Sequence, residues 1–146
     1  MSSIFLKTSK NDIYVCGDNF CGQLGLGDNI NRKILTILKC PDGYFKSIFM
    51  NDSYVIGITN KNQIYIWGSY TKNNHNNNPI LINFKEGCFK KIEYNIDNII
   101  GITYKKELYR VDVYLGNIVN IKMLKCPNGY FKKISHGYNT FIGLTS

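Results

Sequence analysis

Short apolar runs rich in Ile, Val, Tyr and Phe alternate along this chain with clusters of Gly, Asn, Asp and Lys. Runs of this length and composition, bounded by turn residues, predict β-hairpins. The runs also return at a fixed interval. PDGYFKSI (Pro41 to Ile48) comes back as KEGCFKKI (Lys85 to Ile92) and as PNGYFKKI (Pro127 to Ile134), so Phe45, Phe89 and Phe131 are equivalent. LKCP leads into the first and third copies, at Leu38 and at Leu124. Each is followed by a second element: VIGIT at Val55, IIGIT at Ile99 and FIGLT at Phe141, with a looser copy, IFLKT, at Ile4. A third element comes next: DIYVCG at Asp12, QIYIWG at Gln63 and ELYRVD at Glu107. A further apolar run, such as ILTIL at Ile34, completes the unit. Four strands in about 45 residues correspond to one propeller blade, so the chain reads as all-β with about three blades of antiparallel strands. The approximate units are 3–50, 51–95 and 96–137 within one repeat domain, 1–146, with 138–146 starting a further unit.

Turn chemistry follows the same rhythm. NKNQ (Asn60 to Gln63) and HGYN (His136 to Asn139) offer Asn and Gly at positions that tolerate positive φ. Gly57, Gly101 and Gly143 fall inside strands, where glycine weakens pairing, which predicts close approach of a neighbouring backbone there.

Composition narrows the chemistry. A chain of 146 residues, 44% hydrophobic and 19% charged, can fold as one domain with a modest core. Its net charge of +8 comes mainly from lysine and favours an acidic partner without naming one. Cys16, Cys21, Cys40, Cys88 and Cys126 are odd in number and never spaced C-x-x-C, so neither a disulfide framework nor a zinc site is predicted, and a reducing compartment is the simplest setting. The apolar run in MSSIFLKTSKND is too short for a signal peptide, and no run approaches the roughly 18 residues of a membrane span. An intracellular location (cytoplasm, nucleus or virus particle) is therefore expected.

YVCGDNFCGQLGLGDN (Tyr14 to Asn29) concentrates the glycines. A dinucleotide-binding fingerprint would need a helix to follow, and INRKILTILKCP lacks a helical stripe. A phosphate-binding Walker loop would need G-K-[ST], which is absent. The stretch instead resembles the signature of the regulator of chromosome condensation repeat family, a strand ending in W-G-x-N followed by G-Q-L-G-L-G-D. Gly17 and Asn19 hold the G-x-N positions, and Gly22, Gln23, Leu24, Gly25, Leu26, Gly27 and Asp28 match in order. Cys16 stands where the family has tryptophan, and Trp67 with Gly68 restores it in the second unit. The pattern fades along the chain: the second unit runs into YTKNNHNNNP, and the third, LYRVDVYLGN, has lost it. The glycines are read as structural, Trp67 as a core residue between blades, and Asn73 to Asn78 as a flexible surface loop in which His75 is no ligand. No cofactor, metal or catalytic set is predicted, and the chain is not expected to be an enzyme.

Two expectations about partners follow. Lys46, Lys90, Lys91, Lys132 and Lys133 recur in phase, joined by Lys39 and Lys125, and would form a basic arc toward acidic protein or nucleic acid. The plainer reading is that they guard strand edges against pairing. The resemblance implies a blade-repeat scaffold, and its namesake is an exchange factor for the small GTPase Ran that binds chromatin. Some relatives, in intracellular bacteria and large DNA viruses among other sources, serve as interaction scaffolds alone. The expected function is a non-catalytic interaction module that self-associates, since three blades fall short of the four to about eight of closed propellers. The alternative is a regulator of a small GTPase.

Overall fold

In the computed structural model, residues 3–50, 54–68, 76–84, 89–94, 98–114, 117–126, 129–137 and 140–146 are described. Cys88, His75 with the first part of the asparagine run, the KEGC lead-in and the last two residues of the HGYN turn lie outside them. The described residues are all-β: thirteen strands in antiparallel sheets. They divide into two compact units, Met1–Ile82 and Asn83–Ser146.

In the first unit, β1 (Ile4–Lys7), β2 (Ile13–Gly17) and β3 (Arg32–Leu38) form a three-stranded sheet in chain order. The four strands β4 (Phe45–Met50), β5 (Val55–Thr59), β6 (Ile64–Trp67) and β7 (Ile80–Leu81) form the second, also in chain order. The second unit repeats this meander with β8 (Phe89–Tyr94), β9 (Asn98–Thr103), β10 (Leu108–Tyr114) and β11 (Asn117–Leu124), then adds the pair β12 (Phe131–His136) and β13 (Phe141–Thr145). A four-stranded antiparallel meander in sequence order is the architecture of a propeller blade.

The repeated elements fold alike because their local chemistry is alike. β5 and β9 end in a threonine, and β1 is followed by one, that opens the same hairpin. The amide of Thr8, Thr59 or Thr103 donates to the carbonyl of Asp12, Gln63 or Glu107 at 2.9, 3.0 and 2.9 Å. Each threonine hydroxyl also accepts from the amide of that same residue, at 3.1 to 3.3 Å. The turn needs one left-handed residue, supplied by Asn11, Asn62 and Lys106 at φ 69, 59 and 66°. Asparagine adopts this conformation readily; lysine does so at a cost of roughly 1–2 kcal/mol.

The in-strand glycines have a different cause from a neighbouring backbone. A Cβ on Gly57, Gly101 or Gly143 would lie 2.5, 2.2 or 2.6 Å from the ring of Phe45, Phe89 or Phe131, in the adjacent strand of the same sheet. The ring fills the space above the glycine. Phe45 and Phe89 are each 1% exposed, and burying such a ring contributes about 1.5–3 kcal/mol.

Directly after each of these phenylalanines the ladder slips. Phe45 pairs with Thr59 but Ser47 with Ile58, Phe89 with Thr103 but Lys91 with Ile102, and Phe131 with Thr145 but Lys133 with Leu144. Lys46, Lys90 and Lys132 are thus the extra residues of three equivalent β-bulges on edge strands.

Candidate functional site

Between β2 and β3 the chain builds a loop, residues 18–31, that carries the glycine signature. Gly17, at φ 109°, turns the backbone out of β2. Asn19, fully buried, then serves as the hub: its Oδ1 accepts from the Leu24 amide at 2.8 Å, and its Nδ2 donates to the Asp28 carbonyl at 2.8 Å and to Asp28 Oδ1 at 3.1 Å. The Asn19 amide donates to Asn31 Oδ1 at 2.8 Å, which ties the loop's two ends together. Gln23 Oε1 accepts from the Cys21 amide at 2.9 Å. Asp28 also accepts from the Ile30 amide (2.9 Å) and pairs with Arg32 (2.5 Å). The Arg32 hydrogen bond, followed by that from Ile30, holds the Asp28 carboxyl below the usual carboxylate range.

The second sheet of this unit locks the loop from outside. Trp67 is fully buried, tilted against Phe45 with ring centroids 5.4 Å apart, and its indole N–H donates to the Gln23 carbonyl at 2.9 Å. Gly25 lies under this indole at φ +70°, and a Cβ there would fall 2.8 Å from Nε1. Leu24, itself fully buried, lies with Trp67 in the core of this unit, and Leu26 packs against it. Asn76 to Asn78, expected in a flexible surface loop, are docked on the signature. Gly68 donates to the Asn76 carbonyl (2.6 Å), Gly27 to the Asn77 carbonyl (2.8 Å), and Asn77 Nδ2 to Asn29 Oδ1 (3.2 Å).

This tethered loop presents two apolar side chains that sequence reasoning passed over. Phe20 is 72% exposed and Ile30 66% exposed. Asn29 Nδ2 donates to the Phe20 carbonyl at 2.8 Å and so holds the two ends of this prominence together. The available signal was their position: both are apolar residues at places the glycine signature leaves open.

The lysines divide by environment. Lys46, Lys90, Lys132 and Lys133 are exposed, with the Lys46 amine donating to Asn62 Oδ1. Lys91 is half-buried and internally engaged: its amine donates to the Ile134 carbonyl at 3.1 Å and lies 3.7 Å from Glu93. Among the described residues Cys16, Cys21, Cys40 and Cys126 form no disulfide, and burial pushes the Cys21 and Cys40 thiols up, which keeps both protonated at neutral pH. Among the described residues no group of three His, Cys, Asp or Glu side chains could hold a metal ion, and no helix is long and apolar enough to cross a membrane. The loop runs into strand β3 and not into a helix, so it has no helix N-terminus on which to cradle a pyrophosphate.

No family model matches the sequence, and neither does any curated protein sequence. Solved structures do match. Human WBSCR16 aligns over 99% of this chain at TM-score 0.65 and 12% identity, and Saccharomyces cerevisiae Prp20p, in a study of its binding to Gsp1p and histones, over 86% at 0.61 and 15%. A structure of yeast RCC1 (Prp20) bound by Kap60 aligns over 81% at 0.56 and 14%. The chain spans 42%, 36% and 35% of these three proteins, well under half of each. The fold is therefore that of a β-propeller-blade repeat protein. More particularly, it is the fold of the RCC1-type, or regulator of chromosome condensation, repeats in strongly diverged form.

Proposed function

We propose that this chain is a non-catalytic protein-binding module whose signature loop engages a small GTPase of the Ran type. The observation that carries the reading is the loop itself: Phe20 and Ile30 stand exposed on a frame whose turns are tied by Asn19, Asp28, Asn31 and Trp67. Apolar anchors on a pre-ordered base lose little freedom when a partner closes over them, which is how few residues come to dominate an interface. Prp20p, studied for its binding to Gsp1p and histones, supports the partner class through its similar fold. The chain's charge of +8 favours an acidic GTPase face over histones, which are basic. A second copy of the chain is the other partner in this reading.

The test is binding of the chain to immobilised Ran-type GTPase, nucleotide-free and GDP-loaded, with release of a fluorescent nucleotide followed in parallel. Saturable binding that weakens about tenfold or more in the Phe20→Ala/Ile30→Ala variant supports the loop as the contact, a loss typical of two interface anchors. Accelerated release identifies an exchange factor, and binding without release an antagonist. Absence of binding in both nucleotide states sinks the GTPase reading.

The lysines give a second reading: Lys46, Lys90, Lys132 and Lys133, with Lys91 as a lesser contributor, contact acidic protein or nucleic acid. Its support is that the bulge sets the same residue type outward in three copies. Lys46→Glu/Lys90→Glu/Lys132→Glu should lower the salt dependence of DNA binding by about three in log–log slope. DNA binding with unchanged slope would remove these residues from the contact.

A further inference from the structure

Both units pack their sheets by the same pairing of faces. In the first, Phe45, Val55 and Trp67 of the second sheet share a core with Ile13 and Val15 of β2, and Phe5 of β1 packs against it. In the second, Ile100, Ile102 and Leu108 share a core with Ile134 of β12, with Phe131 and Phe141 packed against it. Aligned on the repeat, Phe131 and Phe141 hold the positions of Phe45 and Val55, while Ile100 and Leu108 hold those of Phe5 and Ile13. One type of face, aromatic at its start, meets one type of aliphatic face, twice.

Part of each type of face stands open: the first type on β1 and β2 without its phenylalanine strand, the second on β13 alone. On β13, Ile142 is 72% exposed and Leu144 59%, whereas Ile100 and Ile102, their equivalents on β9, are 3% and 5% exposed. On β1, Ile4 and Leu6 are 49% and 48% exposed, at the positions of Val55, which is fully buried, and Gly57, which is covered by the Phe45 ring. Tyr14 and Cys16 beside them are half-buried, at the positions of Tyr65 and Trp67, which are 5% and 0% exposed. The chain therefore carries part of each half of an interface that it makes twice internally.

We propose that a second copy of this chain covers these faces head to tail, the β13 face of one copy (Ile142, Leu144) receiving the β1 and β2 face of the next (Ile4, Leu6, Tyr14, Cys16). This deepens the self-association part of the reading above and rests on it. Such a contact joins two different surfaces, so it propagates until the rotation closes a ring, or else forms an open array.

The experiment uses two double variants, Ile4→Glu/Leu6→Glu and Ile142→Glu/Leu144→Glu, each with one face spoiled by the same charge. Light scattering of the unaltered chain at micromolar concentration should give a mass above one chain of 16.8 kDa. Each variant alone should be monomeric, and an equimolar mixture should form a dimer with one copy of each and nothing larger, because each brings a single intact face. Far-ultraviolet circular dichroism checks that both variants are folded, with serine in place of glutamate should either one unfold. An unaltered chain that stays monomeric defeats self-association itself. Oligomers that persist in either variant leave self-association standing and overturn this surface. A mixture of monomeric variants that remains monomeric overturns the head-to-tail pairing.

Discussion

The connection after β2 and the connection after β10 occupy the same place in their repeats, yet the first is a fourteen-residue signature loop (18–31), whereas β10 and β11 stay paired as far as Tyr114 and Asn117. The difference traces to the residue that follows the last shared strand position. Gly17 and Gly68 take up φ 109 and 76° and turn the chain away, so β2 and β6 are five and four residues long. Gly17 is the last β2 residue in its ladder, opposite Arg32, whereas at the equivalent place the third repeat has Asp112, opposite Asn120, and β10 continues to Tyr114. The carboxylate is held there by Arg110 at 2.5 Å and Asn120 at 3.1 Å. A left-handed glycine thus goes with a strand that ends early, and an aspartate in its place with a ladder that runs on. In that third repeat Val111 fills the position of Trp67.

The comparison can be broken hardest at that shared position. Trp67→Ala removes a fully buried ring and the Gln23 tether together and should cost about 3–5 kcal/mol in urea unfolding followed by circular dichroism. Val111→Ala, equally buried but with no side-chain hydrogen bond to give up, should cost about 2 kcal/mol. Equal losses would show that the indole does nothing for the loop beyond filling space. Gly25→Ala comes next, at about 3 kcal/mol, since it combines a left-handed backbone with a Cβ 2.8 Å from the Trp67 nitrogen and 3.0 Å from Leu38. A neutral result there would mean that the loop can withdraw from the indole at little cost.

Acid titration tests what the two connections still share. Asp28 and Asp112 both sit below the usual carboxylate range, each mainly through a hydrogen bond from an arginine, Arg32 and Arg110 respectively. A carboxyl whose folded pKa is depressed contributes stability that is complete above its unfolded value, near 4, and is lost as pH falls through the folded one. Asp28→Asn and Asp112→Asn should each flatten the decline in stability below about pH 4 while leaving its slope at neutral pH unchanged. An unaltered acid limb in both would remove these pairs from the balance. The smallest effect is expected from Lys106→Asn in the third hairpin turn. Relief of a left-handed lysine is worth about 1 kcal/mol, and loss of the Lys106 amine 3.9 Å from the Tyr130 ring centroid costs about as much, so the unfolding midpoint should barely move. A clear gain would show that the cation adds little.

Much of the fold can be read from the residues because the repeat states the same instruction several times. Phe45, Phe89 and Phe131 mark equivalent strands, Asn62 lies where a left-handed turn residue was expected, and the glycine signature lies between two strands. Features that depend on two strands at once are harder to read. The lysines recur visibly, but their place in a bulge follows from pairing register, which neither strand states alone. The in-strand glycines suggested an approaching backbone because sequence does not say which neighbour fills a missing Cβ. The constant interval from Phe45 to Gly57, Phe89 to Gly101 and Phe131 to Gly143 held that information. Phe20 and Ile30 escaped notice because exposure in a loop depends on how the loop is tied, and the ties run through Asn31, Asn77 and Trp67, far apart in the chain.

The tether between Trp67 and the Gln23 carbonyl also gives the molecule a built-in optical reporter. Trp67 is the chain's single tryptophan, so its emission comes from one indole, sealed from water and bonded to the signature loop. A partner that pulls the loop aside would hydrate that indole and shift its emission to the red, whereas one that settles on Phe20 and Ile30 with the tether intact would leave the spectrum in place. For a ligand of this surface the emission therefore tells, without a label, whether it binds the loop as it stands or opens it.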